Sequence, residues 1–88
     1  MCRNIRTLFN FEPPASDAEI HASALQFVRK LSGYARPSKI NEAAFNRAVE
    51  EVSDVARRLL QSLETSQPVR DRDVEAMKAR AKAQQRFA

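Results

Sequence analysis

The fold of this chain is decided by residues 41–63, Asn-Glu-Ala-Ala-Phe-Asn-Arg-Ala-Val-Glu-Glu-Val-Ser-Asp-Val-Ala-Arg-Arg-Leu-Leu-Gln-Ser-Leu. Apolar side chains recur every three or four positions along this stretch, which is the spacing of one face of an α-helix. The stripe consists of Phe45, Val49, Val52, Ala56, Leu59 and Leu63. Because Glu50, Glu51 and Asp54 lie on the other side, the pattern predicts an amphipathic helix over 42–63 that forms the spine of the fold.

Two short signals mark the start of this helix. Asn41 precedes Glu42 as a favourable N-cap residue. Ile40 and Phe45 stand at the two positions of a hydrophobic staple. We therefore expect Ile40 to pack on Phe45 and to fix the angle at which the chain enters the helix.

An upstream helix is predicted over 17–32. Ser16 and Glu19 have the spacing of a capping box, and Gly33 is a natural helix end. Between them an apolar stripe recurs at helical spacing: Ile20, Ala24, Phe27, Val28 and Leu31. These two stripes are the only pair long enough to bury each other. We therefore expect one core formed by Phe27, Leu31, Phe45, Val49, Val52, Ala56 and Leu59.

A third helix is predicted over 72–87, with Asp71 or Asp73 as its cap and an Ala-rich sequence of high helix propensity. Its apolar seam is narrow: Val74, Met77 and Ala81. Because a helix of about 16 residues is marginal alone in water, it must dock on the first two helices, dock on a partner or a second copy, or fray.

The N-terminal arm, residues 1–15, carries three large apolar side chains, Leu8, Phe9 and Phe11, before a double proline. We expect these side chains to be ordered and largely buried. No second strand is evident in the sequence, so no sheet is expected. The predicted fold of residues 1–88 is a single all-α domain, a small bundle of about three helices with an ordered N-terminal arm.

Composition excludes several classes of function. With one glycine in 88 residues, Gly33, the chain has no glycine-rich phosphate loop. Cys2 and His21 are the only soft metal ligands, too few for a closed zinc site. No apolar run approaches the roughly 18 residues of a membrane span. We therefore expect a soluble cytoplasmic protein with no cofactor, no metal and no membrane contact.

Cys2 and His21 are the weak catalytic candidates. If the initiator Met is removed, the terminal amine of Cys2 can act as base for its own thiol, and Arg3 and Arg6 would favour the thiolate. His21 could pair with Cys2 if the arm folds back over the first helix. The more common alternative is an inert thiol and a solvated histidine, so no catalytic residue is assigned.

Basic residues form the weak nucleic-acid-binding candidate. The net charge is +4, and it is concentrated at both ends of the sequence. The candidate surface consists of Arg29, Lys30, Tyr34, Arg36, Lys39, Lys78, Lys82 and Arg86. Such charges with an interleaved aromatic suit phosphate contact and base stacking, although a charge of this size is explained equally by solubility.

The opening of the chain resembles a known family. Residues 1–15, Met-Cys-Arg-Asn-Ile-Arg-Thr-Leu-Phe-Asn-Phe-Glu-Pro-Pro-Ala, are similar to the start of small bacterial proteins catalogued as a domain of unknown function. The resemblance continues through 24–30, 36–42 and 70–72. It implies no established activity, cofactor or catalytic residue, and therefore no site residue is carried over.

Three functions follow from these patterns. The favoured one is a non-enzymatic protein-interaction or regulatory module. The thin core and the narrow apolar seam of the third helix leave apolar surface that a protein partner or a second copy could cover. The first alternative is a nucleic-acid-binding accessory protein. The second is an enzyme or redox sensor that uses an N-terminal Cys.

Overall fold

The computed structural model describes residues 5–87 of the chain. The elements are strand β1 (Phe11–Glu12), helix α1 (Asp17–Ser32), a 3₁₀ turn (Lys39–Asn41), helix α2 (Glu42–Ser62), strand β2 (Arg70–Asp71) and helix α3 (Arg72–Phe87). The three predicted helices are confirmed, each to within one residue at either end. The chain is a small, mostly helical protein, but the expectation that it contains no sheet is wrong.

Helix α1 begins and ends as predicted. The backbone amide of Glu19 donates to Ser16 Oγ at 3.2 Å, and the amide of Ser16 donates to Glu19 Oε1 at 3.1 Å, which completes the capping box. Gly33 adopts a left-handed conformation with φ of 77°, and its amide donates to the carbonyl of Arg29 at 2.9 Å. Glycine suits this position because it lacks the Cβ that penalises positive φ.

Helix α2 begins differently from the prediction. Asn41 has helical dihedral angles as the last residue of the 3₁₀ turn, and its side chain donates to Ser38 Oγ at 2.8 Å without capping the helix. Ile40 is 91% exposed, so the predicted staple with Phe45 does not form. A staple needs an N-cap in an extended conformation, which turns the preceding residue back over the helix. Because the 3₁₀ turn runs directly into α2, Asn41 is helical, and Ile40 is not turned back towards Phe45.

The core lies between α1 and α2, which pack side by side and antiparallel. Ion pairs join the first turn of α1 to the second half of α2, with Arg57 Nε 2.9 Å from Asp17 Oδ1. The buried side chains are Ile20, Ala24 and Val28 from α1 and Phe45, Val49 and Ser53 from α2. The hydroxyl of Ser53 is buried at no cost in hydrogen bonding, since Ser53 Oγ donates to the carbonyl of Val49 at 2.7 Å.

Part of the predicted core is wrong. Phe27, Leu31 and Leu59 are 43%, 72% and 55% exposed. Leu31 lies in the last turn of α1, beyond the buried Val28, and Leu59 lies beyond Arg57, which already reaches the first residue of α1. The apolar face of α2 therefore continues past the start of α1, whereas Leu31 is exposed in the last turn of α1. The role expected of Phe27 is taken by Ile20, Ala24 and Val28, which recur every four residues.

A two-stranded parallel sheet ties the N-terminal arm to the start of α3. Phe11 pairs with Arg70 and Glu12 with Asp71, and the amide of Arg70 donates to the carbonyl of Asn10 at 2.9 Å. Asn10 has a φ of 67° and donates through Nδ2 to the carbonyl of Pro68 at 3.0 Å. Asparagine is among the few non-glycine residues that adopt this conformation readily. Leu8, Phe9 and Phe11 of the arm were expected to be largely buried, but they are only half-buried.

Helix α3 is attached mainly through its first turn. Asp71 caps it by accepting a hydrogen bond from the amide of Val74 at 3.0 Å, as predicted. Arg72 Nη1 lies 2.8 Å from Glu19 Oε2 and so connects the first turns of α3 and α1. Val74 and Met77 are exposed. The third helix therefore lies beside the α1–α2 pair and adds no residue to the buried core of the described chain.

Candidate functional site

A groove of about 850 Å³ lies between the arm, α1 and α3. Leu8 and Phe11 of the arm line it together with small or uncharged side chains of the two helices: Ala22, Ser23, Gln26, Ala76 and Ala79. Since α1 and α3 both start at the sheet and are joined there by Arg72 and Glu19, the groove opens between two helices that share one anchored end.

Charges of both signs line the groove. Three arginines face three carboxylates among its lining residues: Arg6, Arg70, Arg72, Glu19, Asp73 and Glu75. The hydrogen bond from Arg72, and then the one from the Ser16 backbone amide, lower the pKa of Glu19 below its ordinary value. The balance of charge does not favour a phosphate group, because the carboxylates offset the attraction of the arginines.

Arg70 holds the arm against the linker that precedes α3. Its guanidinium lies 4.5 Å from the centre of the Phe11 ring, and Nη2 donates to the carbonyl of Phe9 at 3.5 Å. A cation stacked on an aromatic face is attracted by the negative face of the ring. We call Arg70, Phe11 and Asn10 the arm latch.

A second cavity of about 330 Å³ lies where the arm crosses the open end of the α1–α2 pair. Leu8, Phe9, Ile20 and Leu60 supply apolar lining, and Arg57 lies at its edge. The hydrogen bonds of Arg57 to Asp17, and then to Asp54, raise the pKa of the guanidinium, which therefore remains charged. Arg57 and Asp54 lie three positions apart on α2, whereas the pair of Arg57 with Asp17 joins two helices.

The structure describes only one of the two weak catalytic candidates. Cys2 lies outside the described residues. His21 is exposed, and its Nε2 lies 3.4 Å from Glu50 Oε1 on α2. This contact joins two solvated faces of the helix pair, which is the ordinary role of a surface histidine.

The basic candidates divide into two groups. Arg29 Nε donates to the carbonyl of Ala35 at 3.0 Å and so closes the turn after α1. Lys78 Nζ lies 3.8 Å from Glu75 Oε1. Tyr34 and the remaining basic residues with described side chains are exposed: Lys30, Arg36, Lys39 and Lys82. Within residues 5–84 no hydrogen bond or ion pair joins the group at 29–39 to the group on α3, and the side chain of Arg86 lies outside the described part.

Exposed apolar side chains are the feature that sequence reasoning mostly missed. They are Phe27, Leu31, Tyr34, Ile40, Val55, Leu59, Leu63, Val69, Val74 and Met77. Val55, Leu59 and Leu63 recur every four positions along α2 and the residue that follows it. This signal was present in the sequence, but Leu59 was assigned to the core.

Neither a metal centre nor a membrane span emerges from the described residues. No group of three or more His, Cys, Asp or Glu side chains that could hold a metal ion occurs within 5–87. Over the same part of the chain no helix has the length and apolarity needed to cross a bilayer.

Fold and surface together define a small helical protein with a thin core, an arm latched to its third helix, and much apolar surface in contact with solvent. The chain belongs to a family of uncharacterised conserved proteins (DUF2277), whose family model matches residues 1–78. The match includes the arm, α1, α2 and the first two turns of α3, and thus most of the groove. No curated protein and no solved structure matches the chain.

Proposed function

We propose that this protein is a non-enzymatic protein-interaction module. The observation that carries the proposal is the imbalance between buried and exposed apolar groups. Among the described residues five apolar side chains are buried, whereas ten large ones are exposed. Exposed apolar side chains that share one face, as Val55 and Leu59 do on α2, are typical of a surface that another protein covers.

The arm latch supports this proposal because it gives α3 a fixed starting point. We propose that the arm is ordered, and that Arg70 and Asn10 hold the linker so that the first turn of α3 stays beside Glu19. A surface presented on an anchored helix loses less entropy on binding than one on a free segment. The arm would therefore serve the binding surface as well as the fold.

We also propose that the module works in the cytoplasm of a bacterial cell. The single cysteine cannot form a disulfide within one chain, which suits a reducing compartment. The remaining alternatives, nucleic-acid binding by the basic residues and chemistry at Cys2, stay predictions, because no contact in the described structure favours either.

The test measures the size of the native protein in a cell extract. We expect the wild-type chain to elute from a sizing column well above its monomer mass of 10.0 kDa. Leu59→Lys should shift it towards the monomer, since a charge on an apolar contact surface carries a large desolvation penalty. Arg47→Gln is the matched control, because Arg47 is exposed on α2 and contacts only Glu51 among the described residues. Elution of the wild type at the monomer mass would overturn the proposal.

A further inference from the structure

Helix α3 turns its larger apolar side chains away from the rest of the chain. Ala76 and Ala79 line the groove towards α1, whereas Val74 and Met77 are 47% and 61% exposed. At 3.6 residues per turn, positions 74, 77 and 81 lie on nearly the opposite side of the helix from positions 76 and 79. We call Val74, Met77 and Ala81 the α3 stripe.

Helix α2 carries a second uncovered stripe. Val55 and Leu59, near the C-terminal end of the helix, and Leu63, the extended residue that follows it, recur every four positions, and all three are exposed; we call them the α2 stripe. Leu59 and Leu63 lie past the region where α1 covers α2, because Arg57 already meets the first residue of α1, and Val55 lies within that region but is 55% exposed. Both stripes are about two helical turns long, roughly 12 Å at 1.5 Å per residue.

The total exposed area shows how much surface is left uncovered. The chain exposes 7453 Å², whereas a compact monomer of its mass of 10.0 kDa would expose about 5,200 Å². If residues 1–4 and 85–88 are counted at the full area of an extended chain, the remaining excess is still about 1,200 Å². Each partner in a standard protein–protein interface contributes about 800 Å². The excess is therefore comparable with the area that one partner contributes to such an interface.

Charge indicates which stripes meet. Residues 41–66, which contain the α2 stripe, have three Lys or Arg against five Asp or Glu, a net charge of −2. Residues 67–88, which contain the α3 stripe, have six against three, a net charge of +3. Opposite charges favour contact of α3 with α2, and like charges disfavour contact of α3 with a second α3.

We propose that a second copy of this chain covers both stripes, with the α3 stripe of each copy packed on the α2 stripe of the other. A two-fold axis forms this contact twice and leaves neither stripe exposed. The α3 stripe does not reach the α2 stripe of its own chain, because the Arg72–Glu19 ion pair holds the first turn of α3 beside α1. This inference rests on the proposed interaction function and names its partner.

Cysteine cross-linking tests the arrangement directly. In a Cys2→Ser background, chains with Met77→Cys and chains with Leu59→Cys are purified separately, mixed and oxidised. We expect a disulfide-linked pair of one chain of each kind in the mixture, at a yield at least ten times that of a control mixture of Met77→Cys with Ile40→Cys chains. Ile40 is exposed but lies outside both stripes. Equal yields in the two mixtures, or stronger linkage of Met77→Cys chains to one another, would overturn the arrangement.

Light scattering on the purified chain separates this inference from the proposed function. We expect a mass of about twice 10.0 kDa, and a dissociation constant that Leu59→Lys raises at least about 30-fold, as for a central interface residue. The circular dichroism spectrum of Leu59→Lys should keep the helical signal of the wild type, because Leu59 is outside the monomer core. A purified monomer that still elutes large in the cell extract overturns the second copy as partner but leaves the interaction function standing. A monomer in both measurements overturns both.

Discussion

Phe27 and Phe45 are the same residue type in different environments, so comparing them shows how far the core extends. Phe45 is buried, whereas Phe27 is 43% exposed. Phe45→Ala should lower the free energy of unfolding by about 3–5 kcal/mol. Phe27→Ala should lower it by no more than about 1–2 kcal/mol, since much of its ring is already in water. Urea unfolding of both variants measures the difference. Equal losses in the free energy of unfolding would show that Phe27 belongs to the core.

Glu19 gives the stability of the protein a dependence on pH. Its carboxylate accepts hydrogen bonds from Arg72 and Ser16, and these contacts lower its pKa in the folded state. A lowered folded-state pKa means that the charged group stabilises the fold above its unfolded pKa, and that this contribution is lost as the pH falls through the folded-state value.

Glu19→Gln isolates the charge at this position, because glutamine can keep the capping-box hydrogen bond. We expect the variant to melt at a lower temperature than wild type at pH 7, and the gap to narrow as the pH falls below about 4. Glu64→Gln, in the exposed segment after α2, is the control and should leave the profile unchanged. A gap that stays constant down to pH 3 would show that the ion pair with Arg72 contributes nothing.

Residue-level signals in the sequence were reliable where they act within one turn of helix. The capping box at Ser16 and Glu19, the left-handed Gly33 and the Asp71 cap are all confirmed, because each depends only on neighbours three or four positions away. The staple at Ile40 is wrong for a physical reason. The pattern specifies side chains, whereas the staple also depends on the backbone dihedral angles of Asn41, which the sequence does not specify.

At the scale of elements, we expect the arm latch to help position α3. Arg70→Ala removes the stack on Phe11 and the bond to the carbonyl of Phe9, a loss of about 0.5–1 kcal/mol for an exposed cation–aromatic contact. We expect faster amide hydrogen exchange over 72–80 and unchanged exchange in the core of α1 and α2. Arg80→Ala, exposed on the same helix, serves as control. Unchanged exchange over 72–80 in the Arg70 variant would show that the latch does not position α3.

The pairing of β1 with β2 could not be predicted from the sequence. Each strand has two residues, and the partners Phe11 and Arg70 are separated by most of the chain. Strand prediction depends on alternation over four to eight residues, and Arg70–Asp71 has neither alternation nor branched side chains. The ion pair of Arg72 with Glu19 could not be predicted for the same reason, since neither segment contains a signal that identifies its distant partner.

For the whole molecule, the sequence predicted the helices correctly but predicted their burial only in part. Periodicity identifies which side chains of a helix share a face, and does not tell how far along that face a partner extends. Leu59 belongs to a predicted face and still lies in solvent, because α2 continues past the start of α1, which Arg57 already meets. The same incomplete overlap exposes Leu63. For these residues, the error about the core and the candidate binding surface have one structural cause.

Charge distribution over the whole molecule bears on the nucleic-acid alternative. The two basic ends of the sequence are separated by the acidic α2 segment. Arg29 is occupied by the carbonyl of Ala35, and Lys78 lies beside Glu75. The acidic α2 segment lowers the positive charge of the molecule as a whole and so weakens its attraction for a phosphate backbone.

We therefore expect no measurable binding when labelled single-stranded RNA or DNA is titrated at low salt with tens of micromolar protein. The opposite result has a defined signature. Each neutralised phosphate adds about 0.7 to the salt slope, so four contacts give a slope near −3. Binding with that slope would contradict the expectation. The double variant Lys78→Ala, Lys82→Ala should then flatten the slope by roughly one to one and a half units. If Tyr34→Ala also weakened the binding free energy by about 1–3 kcal/mol, a base would stack on Tyr34. The basic residues would then form a binding surface rather than a solubilising one.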